Sequence, residues 1–148
     1  MTPNQKAFLD MIAHSEGTVK YGDQGGYNVI VGGSLFDSYA DHPRKLVQLN
    51  ATLKSTAAGR YQLLAKYFDA YRAQLHLPDF SPASQDAIAL QQIRECRALD
   101  DIEAGRFNEA VAKCAHIWAS LPGAGYGQHE NTLVALRDAY QNAGGTLA

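Results

Sequence analysis

Glu16, in the stretch AHSEGT, is the residue of this sequence whose position points most directly to chemistry. A helix is predicted to end at Glu16, and the negative end of a helix dipole disfavours a carboxylate by about 0.3–1 kcal/mol at an exposed site. The same field, together with partial burial under neighbouring aromatic rings, raises the pKa of a carboxyl group. A carboxyl group that stays protonated near neutral pH can serve as a general acid. The alternative is an ordinary exposed residue at a helix end.

Polymer-binding chemistry is indicated by two later stretches. In STAAGRYQLL, which begins at Ser55, small residues allow close approach of a polymer, and the Gln62 amide can donate and accept hydrogen bonds as sugar hydroxyl and acetamide groups require. An ordinary helix N-terminus capped by Ser55 or Thr56 explains the same pattern. Tyr126 stands between glycines in PGAGYGQ, where an aromatic ring stacks on a sugar, covers a cleft or anchors the loop.

Cysteine and histidine do not form a recognisable set of metal ligands in this sequence. Cys96 and Cys114 lie in helical patterns flanked by apolar residues, which favours buried free thiols over a disulfide. The spacing of the histidines does not match a metal site either. These histidines are His14, His42, His76, His116 and His129. We therefore expect no metal and no cofactor.

The element that positions Glu16 is a first helix with clear end signals. Thr2 is predicted as its N-cap, and Gln5 completes a capping box. Gly17 is a natural residue just beyond a helix, so the first helix is predicted to span Pro3–Glu16.

A small β-region is predicted next, followed by helices. Tyr27–Val31 is rich in β-favouring residues between glycines, which predicts a short strand in a hairpin or meander. After Ser55 the chain reads as helical: Ser81 caps one helix, Gly105 closes a short one, and NEAVAKCAHIWASL and ENTLVALRDAYQNAGG form two more. The predicted fold class is α+β, mostly helical with a small antiparallel β-region after the first helix, as one domain over residues 1–148.

The composition is that of an ordinary globular protein. The 148 residues are 46% hydrophobic and 19% charged with a net charge of −2, so no nucleic-acid partner is expected. Between Asp41 and Lys66 five basic residues face one acidic residue, which suits a loosely held anionic polymer or a solvated surface. The start MTPNQKAF lacks an apolar signal core, and no stretch approaches ~18 apolar residues. We expect no export by an ordinary signal peptide and no stable membrane insertion.

Six stretches, in order and over nearly the whole chain, resemble the bacteriophage lambda endolysin family, a branch of the lysozyme-like superfamily. They are KAFLDMIAHSEGT, YNVIVGGSLF, DHPRKLV, LKSTAAGRYQLL, DFSPASQDAIALQQI and IWASLPGAGYGQ. The resemblance implies a lysozyme-like lytic transglycosylase of peptidoglycan. Such enzymes cut the β-1,4 bond between N-acetylmuramic acid and N-acetylglucosamine and leave a 1,6-anhydro-muramoyl end. The family's catalytic glutamate falls on Glu16.

The resemblance also implies where the glycan binds and how the enzyme reaches it. Two loop lips, Lys45–Lys54 and Pro122–Ala135, would bracket a cleft, and Ser55, Gln62 and Tyr126 fall in stretches that line it. The partner would be the glycan strand of peptidoglycan, and the enzyme would be a monomer that lyses the host cell. It would accumulate in the bacterial host cytoplasm until a phage holin opens the inner membrane, and would then act in the periplasm.

One departure and two alternatives accompany this interpretation. In VKYGDQGGYN the loop is shorter than in the family and Asn28 replaces an expected aspartate, which would alter rate or pH optimum if that aspartate acts electrostatically. A hydrolytic muramidase normally needs a second carboxylate, which Asp23, Asp37 or Asp41 could supply. A transglycosylase needs only one, because the C6 hydroxyl of muramic acid attacks within the same sugar. A non-catalytic wall-binding module or inhibitor of this fold would not need Glu16.

Overall fold

The computed structural model describes residues 1–124 and 130–148. Within them the chain is mostly helical, with a two-stranded antiparallel sheet, which confirms the predicted α+β class. The elements are α1 (Pro3–Glu16), β1 (Val47–Gln48), β2 (Lys54–Ser55), α2 (Ala65–Leu75), α3 (Pro82–Glu95), α4 (Leu99–Glu103), α5 (Phe107–Cys114) and α6 (Leu133–Asn142).

The backbone groups into two compact units. The first unit consists of Met1–Glu16 and Ala89–Ala148, and the second of Gly17–Ile88. The helix α3 begins in the second unit and ends in the first. The assignment of one catalytic domain to residues 1–148 stays a prediction.

The first helix begins and ends where its sequence signals predict. The Thr2 N–H donates to the Gln5 side-chain oxygen and the Gln5 N–H donates to the Thr2 hydroxyl, each at 3.1 Å, which completes the capping box. Gly17 has a φ of 75°, a left-handed conformation that strains residues with a side chain. The helix therefore stops at Glu16.

The core of the first unit holds α1 in place. Its buried face contacts α4 and α6, and the Phe8 ring packs edge-to-face against Phe107 at 6.1 Å and Tyr140 at 6.5 Å between centroids. At the helix start, the Asn4 amide donates to the Ile102 carbonyl at 3.0 Å. The position of the last residue of α1 is therefore set by packing as well as by its own backbone.

The second unit carries the sheet, but not at the predicted place. The strand expected at Tyr27–Val31 is wrong: this segment forms only isolated bridges, and the hairpin lies further along the chain. In the hairpin, Val47 pairs with Ser55, and the Asn50 side-chain oxygen accepts the Leu53 N–H at 2.9 Å. Asparagine favours such turns because its side chain bonds its own backbone, and this closes the hairpin.

Helices after the hairpin agree with prediction at some ends and differ at others. The Ser81 hydroxyl accepts the Ser84 N–H at 3.4 Å at the start of α3, as predicted. In contrast, α2 begins only at Ala65, and α5 ends at Cys114, well before the predicted end of its apolar stretch. The core of the second unit is a cluster of small, aliphatic and aromatic side chains. Its buried members are Ala58, Leu63, Phe68, Phe80 and Ile88.

The two cysteines are free thiols, as predicted. Cys114 is buried as expected, whereas Cys96 is only partly buried. His42 is a core residue of the second unit: its ring lies 4.9 Å from Phe80 and its two nitrogens bond the Leu63 carbonyl and the Arg44 N–H. In the two described ranges, no helix combines the length and apolarity needed to cross a membrane.

Candidate active site

Glu16 ends α1, and its side chain is partly buried. Burial of the carboxyl group raises its pKa to about 7, while a hydrogen bond with the Ser120 hydroxyl opposes the rise. The direction agrees with the expectation of a general acid, and burial is the larger cause. A carboxyl group with this pKa exists in both protonation states near neutral pH, so it can give up and accept a proton there.

Ser120 belongs to a chain of polar groups that reaches Glu16. Its hydroxyl oxygen lies 2.8 Å from that of Ser15, and the Asn131 amide nitrogen donates to the Ser15 hydroxyl at 3.1 Å. The same nitrogen donates to the Ser15 carbonyl at 3.0 Å and lies 3.5 Å from the Ser120 carbonyl. Because carbonyl oxygens only accept, the NH2 end of the amide must face them, which fixes its orientation.

Three segments of the first unit bring these groups together. Ser15 lies beside Glu16 in the last turn of α1, Ser120 follows α5 through a series of turns, and Asn131 directly precedes the N-cap of α6. The Asn131 N–H also donates to the Ser120 carbonyl at 2.8 Å. Ser15 is 105 residues from Ser120 and 116 from Asn131. No local sequence pattern links residues so far apart, and sequence reasoning missed all three.

Two predicted substrate contacts, Ser55 and Gln62, lie in the second unit. Ser55 ends β2, and its hydroxyl accepts the Ala57 N–H at 3.1 Å. Gln62 lies in a turn with a φ of 55° and not at a helix start. Its amide nitrogen donates to the carbonyls of Gly59 at 2.9 Å and Val29 at 3.3 Å, which holds this turn. The sugar-binding roles of Ser55 and Gln62 stay predictions.

The predicted lips are described only in part. Tyr126 lies outside the described residues, as does the middle of the predicted lip Pro122–Ala135, whose last three residues belong to α6. The predicted lip Lys45–Lys54 contains most of the β1–β2 hairpin and exposes apolar side chains. These are Leu46, Leu49 and Leu53. Their role as lips of a cleft stays a prediction.

The basic segment from residue 41 to residue 66 is partly neutralised. Arg44 lies 2.6 Å from Asp69 and 3.0 Å from Asp41, and this pairing holds the pKa of both carboxyl groups below the usual range. Arg60 lies over the Tyr61 ring, 5.7 Å from its centroid. Binding of an anionic polymer by this segment therefore depends on its exposed lysines and stays a prediction.

Other candidates from the sequence lie in the second unit. Asp23 and Asp37 are exposed. Asn28, which replaces the expected aspartate, is 5% exposed, and its side-chain oxygen has no hydrogen-bond partner in the described part of the chain. Within the same residues, no group of three or more histidine, cysteine, aspartate and glutamate side chains could hold a metal ion.

A carboxyl group with a near-neutral pKa at the end of the first helix, on a mostly helical fold with a small β-hairpin, is typical of lysozyme-like enzymes. Comparison with known proteins agrees with this class. The endolysin family model matches residues 6–147, so the chain belongs to the endolysin family.

Two phage endolysins are similar to this protein over nearly the whole chain. The endolysin of Escherichia phage lambda is 59% identical over 150 residues, which cover 97% of this chain and 92% of that protein. The endolysin of Escherichia phage P2 is 51% identical over 157 residues, which cover 98% and 95%. The family resemblance inferred from the sequence is thereby confirmed.

Solved structures of a phage lysozyme share the fold. Bacteriophage lambda lysozyme complexed with a chitohexasaccharide matches with a TM-score of 0.98 and 57% identity, over 100% of this chain and 98% of that one. A further structure of lysozyme from bacteriophage lambda matches with a TM-score of 0.94 and 56% identity, with the same coverage. The predicted lysozyme-like fold is confirmed.

Proposed function

We propose that this endolysin is a lytic transglycosylase of peptidoglycan in which Glu16 acts first as general acid and then as general base. The observation that carries the proposal is the partly buried Glu16 side chain at the end of α1, where burial raises its pKa to about 7. Near neutral pH both protonation states of such a group are populated, and the two chemical steps need one state each.

In the first step, protonated Glu16 gives its proton to the glycosidic oxygen. The bond between that oxygen and C1 of N-acetylmuramic acid breaks, and N-acetylglucosamine leaves with a new hydroxyl. In the second step, the Glu16 carboxylate accepts the proton of the C6 hydroxyl on the same muramic acid while O6 bonds to C1. No water is consumed, and Glu16 ends protonated as it began. Because the nucleophile is part of the same sugar, much of the entropy cost of bringing it to C1 is avoided.

The glycan substrate is supported by membership of the endolysin family and by the chitohexasaccharide complex of lambda lysozyme. We propose Ser55, Gln62 and Tyr126 as substrate contacts. The Ser55 hydroxyl can donate and accept, as sugar hydroxyl and acetamide groups require. The Gln62 amide NH2 is bonded to Gly59 and Val29, so its side-chain oxygen would accept from the sugar. An aromatic side chain such as Tyr126 offers an apolar face to a sugar ring.

Analysis of the cut ends tests the reaction type. Purified peptidoglycan is digested in heavy-oxygen water, and the fragments are separated and weighed by mass spectrometry before and after borohydride treatment. We expect muramoyl ends that are one water lighter than a hydrolysed end, carry no heavy oxygen and resist borohydride. Reducible ends that carry heavy oxygen would contradict the transglycosylase proposal and show that the enzyme is a hydrolytic muramidase.

A wall-binding module without activity is tested in the same digest. The native protein is expected to release fragments, whereas Glu16→Gln is expected to sediment with the wall and release none. Sedimentation with the wall by both proteins, without fragments from either, would favour the binding module.

We further propose that the enzyme collects in the host cytoplasm and acts in the periplasm after a phage holin opens the inner membrane. Peptidoglycan lies outside that membrane, and the proposal is supported by membership of the endolysin family. Expression in a bacterial host with and without a holin tests this. We expect lysis only with the holin, and prompt lysis without it would contradict the proposed route.

A further inference from the structure

The polar chain that reaches Glu16 begins at a group that can only donate, the amide NH2 of Asn131. An amide NH2 group can only donate, so the Ser15 hydroxyl oxygen accepts from Asn131 at 3.1 Å. The Ser15 proton is then available for the Ser120 hydroxyl oxygen, 2.8 Å away. When Ser15 is the donor, Ser120 accepts its proton and has its own proton available for Glu16, with which it is hydrogen-bonded.

We propose that Asn131 and Ser15 are positioning residues that orient the Ser120 hydroxyl so that it donates to the carboxylate form of Glu16. The inference rests on the proposed function, in which that carboxylate forms in the acid step and acts in the base step. Asn131 and Ser15 act through Glu16 and take no part in bond making.

A directed donor matters because burial acts in the opposite sense. Burial favours the neutral acid, so without a donor the carboxylate would form less readily when the proton leaves for the glycosidic oxygen. The Ser120 hydrogen bond lowers the pKa of Glu16 against this effect of burial. Hydrogen bonds in a chain polarise one another, so Asn131 and Ser15 strengthen the last donor. Together the opposing effects keep both forms of Glu16 available.

Ionisable side chains on the same segments are few and are placed as follows. Asp10, on α1, is ion-paired with a lysine one turn away. His14 and His116 are exposed, and the Glu130 carboxylate accepts a backbone N–H. Over residues 1–124 and 130–148, the causes of the Glu16 shift are burial and the Ser120 hydroxyl. Substitutions in the series of neutral donors are therefore the way to change the pKa of Glu16 while its burial stays the same.

The test measures the Glu16 titration directly, by NMR of its side-chain carboxyl carbon in the full chain. Ser120→Ala is expected to raise the pKa by about one unit, the equivalent of one hydrogen bond to a charged group. Ser15→Ala and Asn131→Ala leave Ser120 in place and are expected to raise it by about half a unit. Ser15→Thr retains the hydroxyl and is expected to restore the native value.

A matched control separates this effect from a loss of folding stability. Ser84 is also buried on a helix, and its hydroxyl donates to Asp79 at 2.8 Å in the second unit. Ser84→Ala is expected to lower stability without moving the Glu16 titration. In activity, the fall with rising pH is expected to move up by the same half unit in Ser15→Ala and to stay in place in Ser84→Ala.

Each outcome decides one of the two proposals. If Ser120→Ala moves the Glu16 titration but Ser15→Ala and Asn131→Ala do not, the positioning role is overturned. If Ser120→Ala does not move the Glu16 titration either, the proposed series of hydrogen bonds from Asn131 to Glu16 is overturned. If the titrations move as expected but Glu16→Gln still cleaves peptidoglycan, the positioning geometry stands and the proposed function of Glu16 fails.

Discussion

Two carboxyl groups of the first unit show how neighbours decide the chemistry of an acid. Asp101 is 5% exposed, yet Arg106 at 2.7 Å and Lys113 at 2.6 Å hold its pKa below the usual range. Among the described residues Glu16 has no cation in this role: burial of its carboxyl group raises its pKa to about 7, and the Ser120 hydroxyl only partly opposes the rise. Burial is the larger cause of the raised pKa of Glu16, whereas at Asp101 the two cations outweigh the effect of burial.

The contrast has a plain physical origin. Two cations stabilise the Asp101 carboxylate more than burial disfavours it, so this residue is an anion at neutral pH that joins α4 to α5. A hydroxyl stabilises a carboxylate only partly, so Glu16 can change its protonation state near neutral pH. Position along the helices acts in the same sense: Asp101 lies in the first turn of α4, and Glu16 is the last residue of α1.

The largest expected effect comes from making Glu16 unable to titrate. Glu16→Gln retains size and polarity but removes the proton that the acid step needs. We expect the rate of fragment release from peptidoglycan to fall at least ~10²–10⁴-fold, with the circular dichroism spectrum unchanged. The matched variant Asp101→Asn should retain its rate per folded molecule. A Glu16→Gln rate within tenfold of the native rate would show that another residue is the catalytic acid.

The next effect comes from giving Glu16 the kind of partner that Asp101 has. Ser120→Lys places a cation beside the carboxyl group and should lower its pKa towards the ordinary range. If the pKa falls by two units, activity at pH 7 should drop about 50-fold and the pH optimum should become acidic.

Ser120→Met is the control for that experiment, because it has a long side chain without charge. It should shift the fall of activity to higher pH, opposite to Ser120→Lys. Identical pH profiles of the two variants would show that charge beside Glu16 does not govern the reaction.

A smaller effect should appear in stability as a function of pH. The folded-state pKa of Glu16, about 7, lies above its ordinary value of 4.5. The folded protein therefore binds more protons than the unfolded chain between these values and loses stability as pH rises through them. Glu16→Gln lacks this loss. Its free energy of unfolding, relative to the native protein, should increase by about 3 kcal/mol from pH 4 to pH 8 in urea titrations. A constant difference would contradict the raised pKa.

The smallest effect concerns the cations around Asp101. Its lowered pKa contributes stability above the unfolded value of ~3.9, and this contribution is lost as pH falls through the folded value. Lys113→Met should lower the melting temperature at pH 7, with the deficit shrinking towards pH 2. The control Lys6→Met breaks an exposed pair on α1 and should cost only about 0.3–0.5 kcal/mol. Neither variant should shift the pH profile of activity. A shift with Lys113→Met would show that the cations around Asp101 also influence the titration of Glu16.

Features written in adjacent residues were predictable from the sequence. The Thr2–Gln5 capping box and Gly17 gave both ends of α1, and with them the placement of Glu16 in a last helical turn. Ser81 likewise marked the start of α3. These signals work because each depends on a backbone conformation or a hydrogen bond within a few residues.

Features that depend on distant contacts were not predictable. Gln62 has good helical neighbours, but its bonds to Gly59 and Val29 hold it in a left-handed turn. The β-rich segment around Val29 forms isolated β-bridges and not a full strand. Tertiary contacts override local preference in both cases. The polar chain behind Glu16 was missed for the same reason, and only the glutamate itself had a local signal.

Because Asn131 bonds to Ser15, the pKa of Glu16 depends on whether the end of α1 and the segment before α6 stay in contact. The bond spans 116 residues and joins the end of α1 to the segment that precedes α6. Any partial opening that frees this segment also releases the donor chain, while α1 itself can stay helical. A drift of the Glu16 titration in mild denaturant would therefore report loosening of the far end of the first unit before any helix melts.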